Sequence, residues 1–104
     1  MILEIRTYRL KPGTIDDFVS IMRDEVTPLL AAAGIHVVAS GASMVSEDGD
    51  EEAYLIRAFD SVEQREELEG AFYGSDIWRQ GPRESVVSRI ESYHTVVLPA
   101  ATVR

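Results

Sequence analysis

Cysteine is absent from the 104 residues, which excludes disulfides and thiolate chemistry and fits a reducing compartment. Positive charge is scarce. Ten Lys and Arg stand against eighteen Asp and Glu, a formal net charge of −8. Nucleic acid calls for a basic stripe and an anionic membrane surface for a polybasic cluster, so neither partner is expected. The two histidines, His36 and His94, lie far apart and no metal-ligand spacing accompanies them, so no metal site is expected. A phosphate loop, a dinucleotide fingerprint and a Ser-His-Asp order are also missing, and no cofactor is called for. No apolar run reaches the length of a membrane span. The opening MILEIRTYRL mixes charges into its apolar stretch, unlike a signal or transit peptide. The expectation is one soluble, cytoplasmic domain over 1–104, long enough for a single core.

What is present is a clear alternation of elements. Residues 2–10 read as a strand, and Lys11-Pro12-Gly13 as a turn. Thr14 is placed to cap a helix whose apolar stripe runs from Ile15 through Ala33. Pro28 interrupts that helix and predicts a bend, and Gly34 a stop. IHVVASGASMV (35–45) suggests a second strand with a bulge near Gly41. Asp48-Gly49 marks a hairpin turn into a third strand, AYLIRAF. Ser61-Val62-Glu63-Gln64 fits a capping box that opens a second helix, in which Val62, Leu68 and Phe72 are expected to face inward. One or two short helices carrying Ile77 and Trp78 follow, and IESYHTVVL (90–98) is the last strand.

The order β-α-β-β-α-β is the split βαβ arrangement. It predicts an α+β, ferredoxin-like fold with a four-stranded antiparallel sheet and helices on one face. The uncovered face would hold Tyr8, Phe59 and parts of the second strand. An apolar face of that kind needs a cover, most simply a second copy in a two-fold homodimer.

On the first strand Glu4, Arg6 and Tyr8 share one face, because strand side chains alternate. Arg6 could fix a carboxylate or enolate oxygen, and Tyr8 could donate a proton. Alternatively Glu4 and Arg6 neutralise each other in a subunit interface. Arg57, in mid-strand among apolar neighbours, needs a partner if buried; Glu4 is the first candidate and an anionic ligand the second. His36 is expected at a solvated rim. His94 could project into a cavity as a general base, or serve as a haem ligand testable by a Soret band. Trp78, with Tyr73 and Phe72, could wall an apolar pocket or simply anchor a short helix on the sheet.

Two stretches carry a family resemblance. Glu4-Ile5-Arg6-Thr7-Tyr8 with Lys11-Pro12-Gly13, and Phe72-Tyr73 with Ser75-Asp76-Ile77-Trp78-Arg79 and Gly81-Pro82-Arg83, resemble the NIPSNAP family. The resemblance implies a dimeric α+β barrel. Related barrel families include cofactor-free monooxygenases, haem-degrading enzymes, isomerases and dehydratases. The expectation from the resemblance is therefore a small dimeric barrel protein that works as a cofactor-free enzyme, monooxygenase- or isomerase-like, on a small apolar or aromatic anion. In that reading Tyr8 and His94 move protons, while Arg6, Arg57 and Trp78 bind substrate. The rival is a non-catalytic binding or interaction dimer, which predicts inner polar groups that satisfy one another and leave no cavity.

Overall fold

The computed structural model describes residues 1–100. Four strands form one sheet in the order β2-β3-β1-β4: β1 (Ile2–Leu10), β2 (His36–Ala42), β3 (Glu51–Phe59) and β4 (Ile90–Pro99). All three pairings are antiparallel. The chain is α+β and ferredoxin-like. Between β1 and β2 run α1 (Ile15–Ile21), a π-helical turn (Met22–Val26) and α2 (Thr27–Ala32). Between β3 and β4 run α3 (Val62–Tyr73), α4 (Asp76–Arg79) and α5 (Arg83–Val87).

Local chemistry accounts for most element boundaries. The expected bend at Pro28 is taken up one turn earlier. Thr27 N–H donates to the Met22 carbonyl, five residues back. That widened turn precedes the residue whose ring would crowd the carbonyl four positions before it. Thr14 stands at the N-cap of α1 as expected, but its side chain makes no capping bond. Its hydroxyl donates to the Lys11 carbonyl, and the Glu51 carboxylate of β3 accepts from the amides of Gly13 and Ile15 instead. Ser61 caps α3 as expected, accepting from the Gln64 amide at 3.1 Å. The bulge in β2 falls between Val37 and Ala39, not at Gly41. Val62 is exposed at 48% rather than facing inward, while Phe72 is buried.

The core lies between one sheet face and the helices. Tyr8, Leu10, Leu55 and Phe59 from the sheet meet Phe18, Met22, Val26, Leu30, Phe72 and Trp78 from the helices. This corrects the expected sidedness: Tyr8 and Phe59 are 5% and 3% exposed, under the helices and not on the open face. The register explains the result. Ile2 pairs with Phe59 and Glu4 with Arg57, so even positions of β1 share a face with odd positions of β3. Burying Leu10, Leu55 and Phe59 carries Glu4, Arg6 and Arg57 beneath the helices with them. The opposite face holds Leu3, Ile5, Ile56, Val96 and Leu98, all partly or largely exposed in the single chain.

Candidate functional site

Five charged side chains meet where α3 crosses β1 and β3. Glu4 and Arg57, directly opposite one another, are both fully buried. Arg57 donates to Glu4 Oε1 through Nε at 2.8 Å and again through Nη2. The same Nη2 donates to Glu69 Oε1 at 2.8 Å, and Nη1 to the Tyr73 hydroxyl at 2.7 Å. Arg65, one helical turn before Glu69, donates to Glu4 Oε2. Its Nε also lies 2.8 Å from Glu69 Oε2, though that oxygen receives no bond of hydrogen-bond geometry. Arg6 Nη2 stands 3.7 Å from Glu69 Oε1. The Arg6 head is held by a 2.9 Å bond to Thr95 and lies 5.0 Å over the Tyr93 ring.

With three guanidiniums against two carboxylates the cluster carries a net charge of +1 when both acids are ionised. Burial raises the Glu4 carboxyl, but the neighbouring Glu69 carboxyl, the charge of Arg57 and the hydrogen bonds from Arg57 and Arg65 outweigh it and hold Glu4 down to about 2. Glu69 goes the other way. Burial, then the neighbouring Glu4 carboxyl, push it up to about 7 against the pull of Arg57. Of two neighbouring carboxyls separated in this way, Glu4 holds the negative charge and Glu69 is the first to take up a proton. The Tyr8 hydroxyl is pushed up to about 12 by burial and by Tyr73, against the draw of Arg6, so it remains a hydrogen-bond donor.

This cluster floors a pocket of about 290 Å³. Arg6, Tyr8 and Tyr93 rise from the sheet; Glu69 and Tyr73 come from α3 and Trp78 from α4. Val86, Val87 and Ile90 close the apolar end. Tyr73 and Trp78 meet edge-on, ring centres 5.3 Å apart, and Phe72 backs Trp78 at 5.6 Å. Gly81 permits the tight turn after α4, since a Cβ there would lie 2.2 Å from the Ile77 carbonyl oxygen. A second pocket of about 290 Å³, between α2 and α3, is lined by Leu29, Ala33, Leu68 and Phe72 among others and by no charged side chain.

The structure gathers Arg6, Tyr8 and Trp78 around one pocket, with Arg57 behind its floor. It does not gather His94, which pairs with Thr7 on the opposite sheet face and is exposed. His94 borders a separate pocket of about 290 Å³ with Thr7, Arg9 and Ser92, which Tyr8 and Tyr93 also line. His36 is exposed at the start of β2, at the expected rim. Sequence reasoning missed Glu69, Arg65 and Tyr93. Arg65 and Glu69 stand four apart on α3, a spacing that puts them on one helix face; next to the unexplained Arg57 it was a usable signal.

The architecture and the site together define a ferredoxin-like domain with an arginine-floored aromatic pocket between sheet and helices. The NIPSNAP family model matches residues 3–102, and the chain belongs to that family. It is similar to an uncharacterized NIPSNAP domain protein from Burkholderia xenovorans: 21% identity over 100% of this chain and 99% of that one, TM-score 0.84. A nipsnap family protein of unknown function from Agrobacterium tumefaciens is 26% identical, with 94% and 86% covered and a TM-score of 0.79. An antibiotic biosynthesis monooxygenase, at 13% identity, covers 98% of this chain and 100% of its own with a TM-score of 0.61. None of the curated proteins matches.

Proposed function

We propose that this NIPSNAP protein binds a small aromatic or apolar anion in the pocket between β1 and α3 and acts on it without a cofactor. The observation that carries the reading is Arg6. Its side chain is 15% exposed and lines the pocket, its orientation is held by Thr95 and Tyr93, and among the described residues its one carboxylate neighbour is Glu69 at 3.7 Å. A guanidinium so placed suits the fork of a carboxylate or an enolate oxygen. The surrounding rings of Tyr8, Tyr73, Trp78 and Tyr93 suit a flat apolar body. Isomerisation and cofactor-free oxygenation both begin with a carbanion that needs only orientation and a positive charge for its oxygen. The fold shared with a monooxygenase is in keeping with either.

Arg57 is assigned a different part from Arg6. Fully buried and bonded to Glu4, Glu69 and Tyr73, it has no free edge for a ligand. It positions the floor. That mutual satisfaction of Glu4 and Arg57 is also what favours the second reading, a non-catalytic binding dimer; the pocket beside them favours the first.

The pairing of two copies through their open sheet faces belongs to the same proposal. Leu3, Ile5, Ile56 and Leu98 would be covered by it, and His94 would be brought to the interface.

Trp78 is the chain's single tryptophan and lies on the pocket wall, so its fluorescence reports occupancy directly. Benzoate and phenylpyruvate are expected to quench it saturably, and Arg6→Leu to weaken binding by roughly 10- to 100-fold, the loss of a charge-assisted bond. Quenching that never saturates, or affinities indifferent to Arg6→Leu, would sink the reading.

A further inference from the structure

We infer that Glu69 is the proton-transfer residue of this pocket and that the molecule it takes is an aromatic 2-oxo acid or a similar enolisable carbonyl compound, shifted between keto and enol forms. The inference deepens the proposed function and rests on it. Glu69 borders the pocket beside Tyr8, Tyr73 and Tyr93. Its Oε1 is tethered to Arg57, which fixes the carboxyl in place. Its buried Oε2 lies 2.8 Å from Arg65 Nε in an ion pair but outside hydrogen-bond geometry, so this carboxylate keeps a lone pair that no hydrogen bond uses. Among the described residues the pocket offers no equivalent base. Tyr8 is held protonated well above neutrality, Glu4 is fully buried and occupied by two arginines, and His94 faces the other side of the sheet.

The chemistry balances without any other reactant. Glu69 carboxylate removes a proton from the carbon next to the carbonyl, and the C–H electron pair becomes a C=C bond. The carbonyl π pair moves onto oxygen, where Arg6 and the Tyr8 hydroxyl stabilise the enolate. Returning the proton to oxygen gives the enol, and returning it to carbon regenerates the ketone. While on Glu69 the proton exchanges with solvent. The charge around the carboxyl is set by Glu4, Arg6 and Tyr8 from β1, Arg57 from β3, Tyr93 from β4, and Arg65 and Tyr73 from α3. Burial and Glu4 lift its proton affinity toward neutrality, where a general base works best.

The test follows deuterium entry at the benzylic carbon of phenylpyruvate in D₂O by proton NMR, with binding read separately from Trp78 fluorescence. The wild-type protein is expected to accelerate exchange over buffer alone, with a rate that rises as Glu69 ionises on passing through about pH 7. Glu69→Gln should still bind phenylpyruvate but exchange it at least about 100-fold more slowly, the usual scale of a lost general base. Glu69→Asp, which keeps the charge but withdraws it by one carbon, should fall between the two; it also serves if the Gln variant does not fold. Exchange that survives in Glu69→Gln, or wild-type protein that binds without accelerating exchange, overturns the role of Glu69 and leaves the anion pocket standing. Failure of phenylpyruvate to bind at all overturns the pocket reading and this inference together.

Discussion

Each face of the sheet breaks one rule of a small domain. Beneath the helices β1 places Glu4 and Arg6 beside the apolar core residues Tyr8 and Leu10; on the uncovered face it places Leu3 and Ile5. Adjacent residues of one strand thus obey opposite rules. Buried charges are costly unless paired, and an exposed apolar face is costly unless covered. Each violation marks a place where stability has yielded to something else. On the covered face that something is a pocket with a positive floor. On the bare face it is the second copy proposed above.

The largest effect should come from breaking the covered face. Arg57→Met leaves Glu4 buried with only Arg65 for a charge partner, and unfolding in urea should show a loss of about 3–5 kcal/mol. Removing the orphaned charge as well, in Glu4→Gln with Arg57→Met, should recover part of that loss, because no unpaired carboxylate then remains at position 4. On the bare face, Ile56→Ala, the very next position of β3, should cost the unfolding of the single chain far less. A double variant no more stable than Arg57→Met alone would show that packing, not charge pairing, dominates there.

How much of this was readable beforehand follows the same division. Element order, sheet class and the Glu4–Arg57 pair were legible, since strand and helix periodicities are local and a charged residue in a central strand demands a partner. Sidedness was not. Leu3 and Ile5 are as apolar as Ile2 and Leu10, so alternation alone cannot say which set the helices cover. That depends on the β1–β3 register, a long-range property. The acceptor at the start of α1 was missed for a related reason: the Glu51 carboxylate that satisfies Gly13 and Ile15 comes from 36 or more residues away. Within the site, Arg6, Tyr8 and Trp78 were found from the strand face and the aromatic cluster. Glu69 was missed because it sits in a helix crowded with exposed glutamates, where one buried acid looks like its neighbours.

The bare face offers the next comparison. Ile5→Asp puts a carboxylate at its centre while leaving Glu4 and Arg6 in place. Sedimentation is expected to find wild-type dimers at micromolar concentration, and in the variant a dissociation constant raised roughly 100-fold or more, as for the loss of a central apolar contact. Phenylpyruvate binding to the Ile5→Asp chain should persist, because the pocket lies on the other side of the sheet. A wild-type monomer would end the face-to-face proposal and leave the pocket untouched. Loss of binding in a folded Ile5→Asp monomer would mean that the two faces are coupled.

The smallest effect tests the proton balance of the covered face. Glu4, held down to about 2, binds fewer protons folded than unfolded between about pH 2 and 4.5, so its stabilising contribution grows with pH across that range and is lost on acidification. Glu69, raised to about 7, binds more protons folded than unfolded between about 4.5 and 7; its contribution is complete below 4.5 and disappears as pH rises through 7. The pair therefore stabilises most near pH 4.5. Glu51, lowered by the Gly13 and Ile15 amides, acts only on the acid side of that maximum. Melting temperatures of wild type and Glu69→Gln, taken across pH 4.5 to 7.5, isolate the upper limb as a difference curve. The wild-type advantage should shrink by on the order of a few degrees as pH rises. A constant difference would mean that Glu69 stays ionised beside its three arginines, and that the proton it was assigned to carry is already gone at neutral pH.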